Sequence, residues 1–269
     1  MILSAAYFLV FHGSRDCRTQ AAASNLRQTL ASKFSSILAQ RNHLVKNTAN
    51  FALQPAVGLY PEAGSLIDIA PLELSAIPLR ESLVNFVQKA SRQGINRVKV
   101  IPLFLGPGVH VQEDIPAEVT AALNQLDSQV TLELSPYLGK YSGMIPLLER
   151  QFAEFPDSAR ILIAHGTKLS MGALYYQNLV QRLDAEVGYW STTPWFNEQI
   201  ERQIALGQRR IALMPYFLFP GKITTAIAQK VASLQQQYPH VSLFLGEPLS
   251  ETAALAELIA EEVQLELSR

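Results

Sequence analysis

The chain repeats one stretch of sequence, Tyr7-Phe-Leu-Val-Phe-His-Gly-Ser-Arg15, as Ile161-Leu-Ile-Ala-His-Gly-Thr-Lys168. In both copies an apolar run ends in histidine, glycine, a hydroxyl residue and a basic residue. A short, continuous apolar run that ends at such a turn signal is typical of a buried strand. The repeat therefore predicts two related strands, each with a histidine at its carboxyl end.

Two further matches follow in the same order. Val100-Ile-Pro-Leu-Phe-Leu-Gly-Pro-Gly108 matches Leu213-Met-Pro-Tyr-Phe-Leu-Phe-Pro-Gly221, and Val130-Thr-Leu-Glu-Leu134 matches Val241-Ser-Leu-Phe-Leu245. Three ordered matches indicate that a unit of about 115 residues is duplicated, and a period this long is typical of two fused domains rather than a solenoid. Because one chain already holds both copies, the duplication also predicts a monomer.

Strands and amphipathic helices alternate in each half. The predicted strands of the first half are Leu3–Phe11, Ile67–Leu74, Val98–Leu105 and Val130–Leu134. Apolar strands separated by amphipathic helices predict an α/β fold: two tandem domains, each a mostly parallel sheet flanked by helices. We place these domains at residues 1–153 and 154–269, since the pattern is interrupted near Phe152–Ser158.

The first half is longer than the second. His12 and Pro102 are 90 positions apart, whereas the matching His165 and Pro215 are 50 positions apart. Residues 41–65 show no clean hydrophobic period, so we predict an inserted loop or lid there.

Composition excludes several classes of protein. Of 269 residues, 48% are hydrophobic and 17% are charged, which is typical of a globular protein with a sizeable core. The net charge of −1 lacks the basic excess of a nucleic-acid binder, and one cysteine excludes an intrachain disulfide or a cysteine metal cluster. Residues 1–11 are too few to cross a bilayer and lack the features of a signal peptide. We therefore expect a cytoplasmic protein with no membrane or nucleic-acid partner.

Three candidate metal ligands follow three successive strands. In open α/β sheets, ligands bind outside the carboxyl ends of the strands, where the sequence predicts His12, Glu73 and His110. Two imidazoles and a carboxylate suit iron, cobalt, nickel or zinc, and an imidazole also accepts protons near neutral pH. We predict one catalytic metal site from the three. Individually, each could instead be structural: a core or capping histidine, a loop histidine, or an ion-paired carboxylate.

The second half keeps only part of this set. His165 repeats the first histidine, but Ile223 stands where the third-strand histidine would be. The counterpart of the glutamate is Tyr189 if prolines are matched, or Glu186 by an ungapped count. We prefer Tyr189 because Glu186 would fall early in its strand. The second half is therefore predicted to lack a metal site and to act as a structural mate or as one wall of a cleft.

Weaker signals surround these residues. Ser14 and Arg15 could hold a carboxylate, or they could be a helix cap and a solvated cation. The glycines of Gly106-Pro-Gly108 would let the backbone approach a flat ligand. Asp114, two positions before a proline, is predicted to cap the following helix.

A family resemblance rests on three segments. Phe8-Leu-Val-Phe-His-Gly-Ser-Arg-Asp16, Leu72-Glu-Leu74 and Pro102-Leu-Phe-Leu-Gly-Pro-Gly-Val-His-Val-Gln-Glu-Asp-Ile-Pro116 closely resemble the sirohydrochlorin chelatases. These are the class II, ATP-independent tetrapyrrole chelatases. The resemblance covers almost the whole chain, because long members of the family are two fused chelatase-like halves.

This resemblance implies a reaction and a set of roles. It implies that Fe²⁺ or Co²⁺ is inserted into sirohydrochlorin with loss of two pyrrole protons, in sirohaem or cobalamin biosynthesis. The metal is then a substrate and no cofactor is permanently bound. The metal-binding and proton-accepting residues of the family map onto His12, His110 and Glu73. Its macrocycle-contacting segment maps onto Leu105, Gly106, Pro107, Gly108 and Val109. A metal or tetrapyrrole carrier without catalytic activity would need the same pocket and stays an alternative.

Overall fold

Two four-stranded parallel sheets form the framework of the chain. The structure, a computed structural model, describes residues 6–48, 66–126 and 130–267. The strands of the first sheet are β1 (Ala6–Phe11), β2 (Ile67–Pro71), β3 (Arg97–Pro102) and β4 (Thr131–Leu134). Those of the second are β5 (Ala159–Ala164), β6 (Glu186–Tyr189), β7 (Arg210–Pro215) and β8 (Ser242–Leu245).

Helices connect the strands. They are α1 (Cys17–Thr48), α2 (Leu79–Arg92), α3 (Ile115–Leu123), α4 (Met144–Ala153), α5 (Ser170–Arg182), α6 (Phe196–Ala205), α7 (Lys222–Gln237) and α8 (Ala253–Leu267). A π-helical turn, His110–Asp114, precedes α3. In the part of the chain that is described, no helix is long and apolar enough to cross a membrane.

The two sheets have the same topology. Their strand orders are β2-β1-β3-β4 and β6-β5-β7-β8, with parallel pairing throughout. The first strand of each half is therefore internal, between the second and third strands. This arrangement confirms the predicted α/β fold of two duplicated parallel sheets.

Alternate side chains of the internal strands enter different cores. In β1, Tyr7, Leu9 and Phe11 belong to one buried cluster, whereas Phe8 and Val10 belong to another. Side chains of successive strand residues point to opposite faces, so a strand covered on both faces is apolar at every position. This explains the continuous apolar run with which the repeat begins.

The largest core is shared by the two halves. It combines apolar side chains of α1 and α4 with those of α5 and α8 and with one face of each sheet. The last helix, α8, packs on α1, and α4 packs on β7. The proposed division at residues 153 and 154 falls between α4 and β5 and stays a prediction.

Some element ends differ from the sequence-based expectations. β2 ends at Pro71 and β3 at Pro102, each three residues before the predicted end. The chain leaves the sheet there, and Leu74 has a φ of 58°, a turn conformation that is incompatible with a strand. Helix α1 includes residues 41–48 of the predicted insertion, whereas residues 49–65 lie outside the described residues.

Candidate functional site

The carboxyl ends of β1, β2 and β3 bring three predicted ligands together. The ring centroids of His12 and His110 are 4.9 Å apart, with an interplanar angle of 79°. Nε2 of His12 lies 3.9 Å from Oε2 of Glu73. The β2-β1-β3 order explains this meeting, because it sets the end of β1 between the other two ends.

The cluster is open to solvent. The side chains of His12 and Glu73 are 54% and 50% exposed. Across the described ranges, no three His, Cys, Asp or Glu side chains already converge on one point as a metal centre. Two donors that share one ion at ordinary ligand distances lie roughly 3–4 Å apart, which is the range of the 3.9 Å separation between His12 and Glu73. His12 and Glu73 are thus separated by a distance at which both could bind one ion.

His110 is held by a carboxylate that the sequence analysis assigned to another role. Nδ1 of His110 lies 2.7 Å from Oδ2 of Asp114. An ionised carboxylate only accepts hydrogen bonds, so we assign the neutral imidazole of His110 the tautomer with its hydrogen on Nδ1 and its lone pair on Nε2. Asp114 was predicted to cap the next helix, but its side chain makes no capping hydrogen bond. The i,i+4 spacing of histidine and aspartate within one turn is the signal that could have predicted the contact.

The turn after β1 places His12 beside Glu73. The N–H of Glu73 donates to the carbonyl of His12 at 3.0 Å, which extends the parallel pairing beyond the strands. Gly13 has a φ of +100°, and a Cβ atom there would lie 2.1 Å from the carbonyl oxygen of Glu73. Nδ1 of His12 is 3.1 Å from the Gly13 carbonyl, an acceptor that likewise leaves Nε2 of His12 with its lone pair.

Ser14 and Arg15 lie beside the cluster. The hydroxyl of Ser14 accepts the N–H of Asp16 at 3.0 Å. Asp16 in turn accepts the backbone N–H of Arg18 and so caps α1. Hydrogen bonds from the Arg18 side chain and backbone lower the pKa of Asp16 to about 2. Arg15 is exposed, and the binding of a carboxylate by Ser14 and Arg15 stays a prediction.

The loop Leu105–Val109 faces a cleft between the halves. Pro107 lines a cavity of about 320 Å³ there, together with Met171 and Leu174 of α5. These two α5 side chains are 53% and 57% exposed. The second half thus supplies apolar surface opposite the loop, as expected of one wall of a cleft.

The second half repeats the backbone of the site with different side chains. The N–H of Ser191 donates to the carbonyl of His165 at 2.9 Å, as Glu73 does to His12. Ser191 is therefore the counterpart of Glu73.

The sequence-based choices of Tyr189 and Glu186 are both wrong. Tyr189 pairs with Ala164 at the end of β5, as Pro71 pairs with Phe11. Glu186 is the first residue of β6. Matching prolines misled the alignment because the two loops after the second strand differ in length.

We expect His165→Ala to change the rate of any chemistry at this site less than about twofold. In its half, serine and isoleucine occupy the positions of the carboxylate and the second imidazole, and a hydroxyl is a weak metal ligand. Steady-state rates of the variant and the wild type would check this. A loss as large as that of His12→Ala would mean that both halves contribute to one site.

One family model matches both halves of the chain, in agreement with the duplicated fold. The CbiX family model matches residues 59–155 and, a second time, residues 159–265. The first range contains Glu73 and His110, whereas His12 precedes it.

One curated relative and two solved structures are informative. The chain is 22% identical over 201 residues to a sirohydrochlorin cobaltochelatase of Priestia megaterium; the match covers 69% of this chain and 64% of that relative, just under two thirds of its length. SirB from Bacillus subtilis with Fe³⁺ superimposes with a TM-score of 0.68 at 15% identity, covering 97% of this chain and 94% of SirB. The sirohydrochlorin chelatase SirB of B. subtilis subspecies spizizenii, in complex with cobalt, gives 0.65 at 17% identity with the same coverage. At these identities the structural likeness shows a shared fold.

Proposed function

The chain belongs to the CbiX family, and from this premise we propose that it inserts a divalent metal ion, Fe²⁺ or Co²⁺, into sirohydrochlorin. The products would be sirohaem or cobalt-sirohydrochlorin. The proposal rests on three side chains at the carboxyl edge of the sheet. The ring centroids of His12 and His110 are 4.9 Å apart, and Nε2 of His12 lies 3.9 Å from Oε2 of Glu73. The names of its relatives, a cobaltochelatase and a chelatase with cobalt, support the same reaction.

The metal ion is a substrate in this proposal, so it has to enter and leave the site, and an open site allows this. The incoming ion has to exchange bound water for the four macrocycle nitrogens. Neutral imidazoles are good ligands for iron and cobalt, and both histidines keep an Nε2 lone pair. Half-exposed side chains that do not form a closed cage can bind the ion and release it again.

Two pyrrole protons leave as the metal enters. Nε2 of His12 and Oε2 of Glu73, 3.9 Å apart, provide one acceptor for each proton. The lone pair on Nε2 of His12 takes its proton after the metal ion has passed from it to the macrocycle. A histidine accepts protons near neutral pH without a large shift in its pKa, and the exposed carboxylate can pass them to water. We therefore assign metal binding to all three residues and proton acceptance to His12 and Glu73.

Asp114 orients His110 in this proposal. We expect Asp114→Asn to lower the insertion rate about 10- to 100-fold, the usual cost of losing the outer partner of a metal-binding histidine. An asparagine keeps the size of the side chain, so the thermal unfolding midpoint should stay close to that of the wild type. Rates at saturating sirohydrochlorin, over a range of metal concentrations, would check this. An unchanged rate at every metal concentration would contradict the assignment.

The direct test is an anaerobic absorbance assay. The protein is mixed with sirohydrochlorin and either Fe²⁺ or Co²⁺, and loss of the metal-free spectrum is compared with a reaction without protein. Acceleration by the protein supports a chelatase, and the ratio of the two rates gives the preferred metal. A spectrum that shifts on binding without faster insertion would instead support a carrier.

A further inference from the structure

Three buried tyrosines of the second half and one partly buried tyrosine form a cluster next to the loop Leu105–Val109. They are Tyr175 and Tyr176 of α5, Tyr189 at the end of β6, and Tyr216 directly after β7. Tyr176 is central, with ring centroids 5.3 Å from Tyr175, 5.7 Å from Tyr189 and 6.2 Å from Tyr216. We call this set the tyrosine cluster.

Two hydroxyls of the cluster reach across to the first half. The hydroxyl of Tyr216 donates to the carbonyl of Leu105 at 3.0 Å. The hydroxyl of Tyr175 lies 2.8 Å from that of Tyr216 and 3.1 Å from the carbonyl of Gly139. Each hydroxyl has a single hydrogen, so two hydrogens serve three contacts. When Tyr216 donates to Leu105, Tyr175 donates either to the oxygen of Tyr216 or to the carbonyl of Gly139.

Both hydroxyls stay protonated at neutral pH. Burial raises the pKa of Tyr175 to about 12 and raises that of Tyr216 well above its ordinary value. The carbonyl of Leu105 therefore keeps its donor over the whole range in which a histidine titrates.

The loop also packs directly on the cluster. A Cβ atom on Gly106 would lie 3.0 Å from the hydroxyl oxygen of Tyr176. One on Gly139 would lie 2.1 Å from the carbonyl oxygen of Leu105 and 2.7 Å from the hydroxyl of Tyr175. From the sequence, Gly106 and Gly108 are predicted to let the backbone approach a flat ligand. At Gly106 the space is taken by a tyrosine.

Among the described residues, the pair of tyrosine hydroxyls has no counterpart in the first half. Leu103 and Tyr216 occupy equivalent positions, because their N–H groups donate to the equivalent carbonyls of β1 and β5. Tyr175 lies ten positions after His165, and Ala22 lies ten positions after His12. The first half thus has leucine and alanine where the second half has the hydroxyl pair. The equivalent loop of the second half is held differently, by the hydroxyl of Thr19 in α1, which donates to the carbonyl of Pro220 at 3.0 Å.

We propose that Tyr216, oriented by Tyr175, is a positioning residue for the tetrapyrrole: it fixes the loop between β3 and His110 by its bond to Leu105. The inference rests on the proposed function, because that function makes this loop the contact for the macrocycle. It also explains what the second half contributes, although serine and isoleucine replace two of the three ligands there.

The test compares Tyr216→Phe with the wild type in two measurements. Phenylalanine keeps the ring packing and removes the donor to Leu105. We expect hydrogen exchange of the amides of residues 103–110 to accelerate about tenfold. We expect the dissociation constant of metal-free sirohydrochlorin, from an absorbance titration, to rise about five- to tenfold, the usual cost of one buried hydrogen bond. Tyr175→Phe should change both quantities in the same direction by a smaller factor.

Tyr189→Phe is the matched control. Its ring belongs to the same cluster, but its hydroxyl takes no part in the bonds to Leu105 and Gly139, so both measurements should match the wild type. Faster exchange in Tyr216→Phe with unchanged sirohydrochlorin binding would overturn the positioning role. So would equal changes of exchange and binding in Tyr216→Phe and Tyr189→Phe. If the wild type binds sirohydrochlorin but inserts no metal, the proposed function fails while the binding comparison still decides this inference. A wild type that does not bind sirohydrochlorin would overturn both.

Discussion

Replacing His110 with alanine is expected to slow metal insertion at least about 100-fold while the protein stays folded. A positioned group that binds metal or transfers a proton contributes about 10²–10⁴ to a rate. His110 begins a π-helical turn outside the sheet, and its side chain is partly exposed, so its removal leaves no cavity in the core. The measurement is the anaerobic absorbance assay, with the thermal unfolding midpoint recorded for the same preparation.

His165→Ala is the matched control for this experiment. It removes an imidazole from the equivalent strand end of the second half, where serine and isoleucine surround it. A large loss in His110→Ala beside a loss of less than about twofold in His165→Ala would support a single site in the first half. Insertion by His110→Ala at the rate of the wild type, or its failure to fold, would refute the assignment.

Replacing Gly13 with alanine is expected to damage both stability and activity. The left-handed φ of +100° costs a side chain about 1–3 kcal/mol, and the added Cβ would lie 2.1 Å from the carbonyl oxygen of Glu73. The turn has to move, which takes His12 away from Glu73. We expect the free energy of unfolding to fall by about 2–4 kcal/mol and the insertion rate to fall at least about tenfold. Denaturant unfolding and the absorbance assay would measure the two effects.

Gly207→Ala measures the stability cost of a positive φ without the steric clash that Gly13→Ala introduces. Gly207 also has a positive φ, +90°, but among the described residues no atom beyond its chain neighbours lies within 4 Å of a Cβ built there. This variant should lose only the conformational part of the stability and keep its insertion rate. If the two alanine variants lost equal stability and both kept full activity, the close approach of Gly13 to Glu73 would not matter to the site.

The predicted ligands lie close together because each of them follows the carboxyl end of a strand in the same parallel sheet. His12 and His110 follow apolar runs closely, and a parallel sheet brings the ends of such runs to one edge. A sequence can reveal a strand end wherever a continuous apolar run stops. The same reasoning failed for the counterpart of Glu73, because Tyr189 and Glu186 were chosen by matching prolines and counting positions. Only the backbone pairing of Ser191 with His165 identifies that counterpart.

The duplication, the parallel α/β architecture and the order of the strands that precede His12, Glu73 and His110 could be predicted from the sequence, because apolar periodicity and glycine turns are local signals. The ends of two of these strands could not. The contacts around those residues depend on the folded structure. The bond of Asp114 to His110 depends on a π-helical turn rather than a helix cap. The bond of Tyr216 to Leu105 joins residues 111 positions apart. Hydrophobic periodicity cannot predict a contact between residues so far apart in the sequence. Such a contact arises from the packing of the two sheets around their shared core.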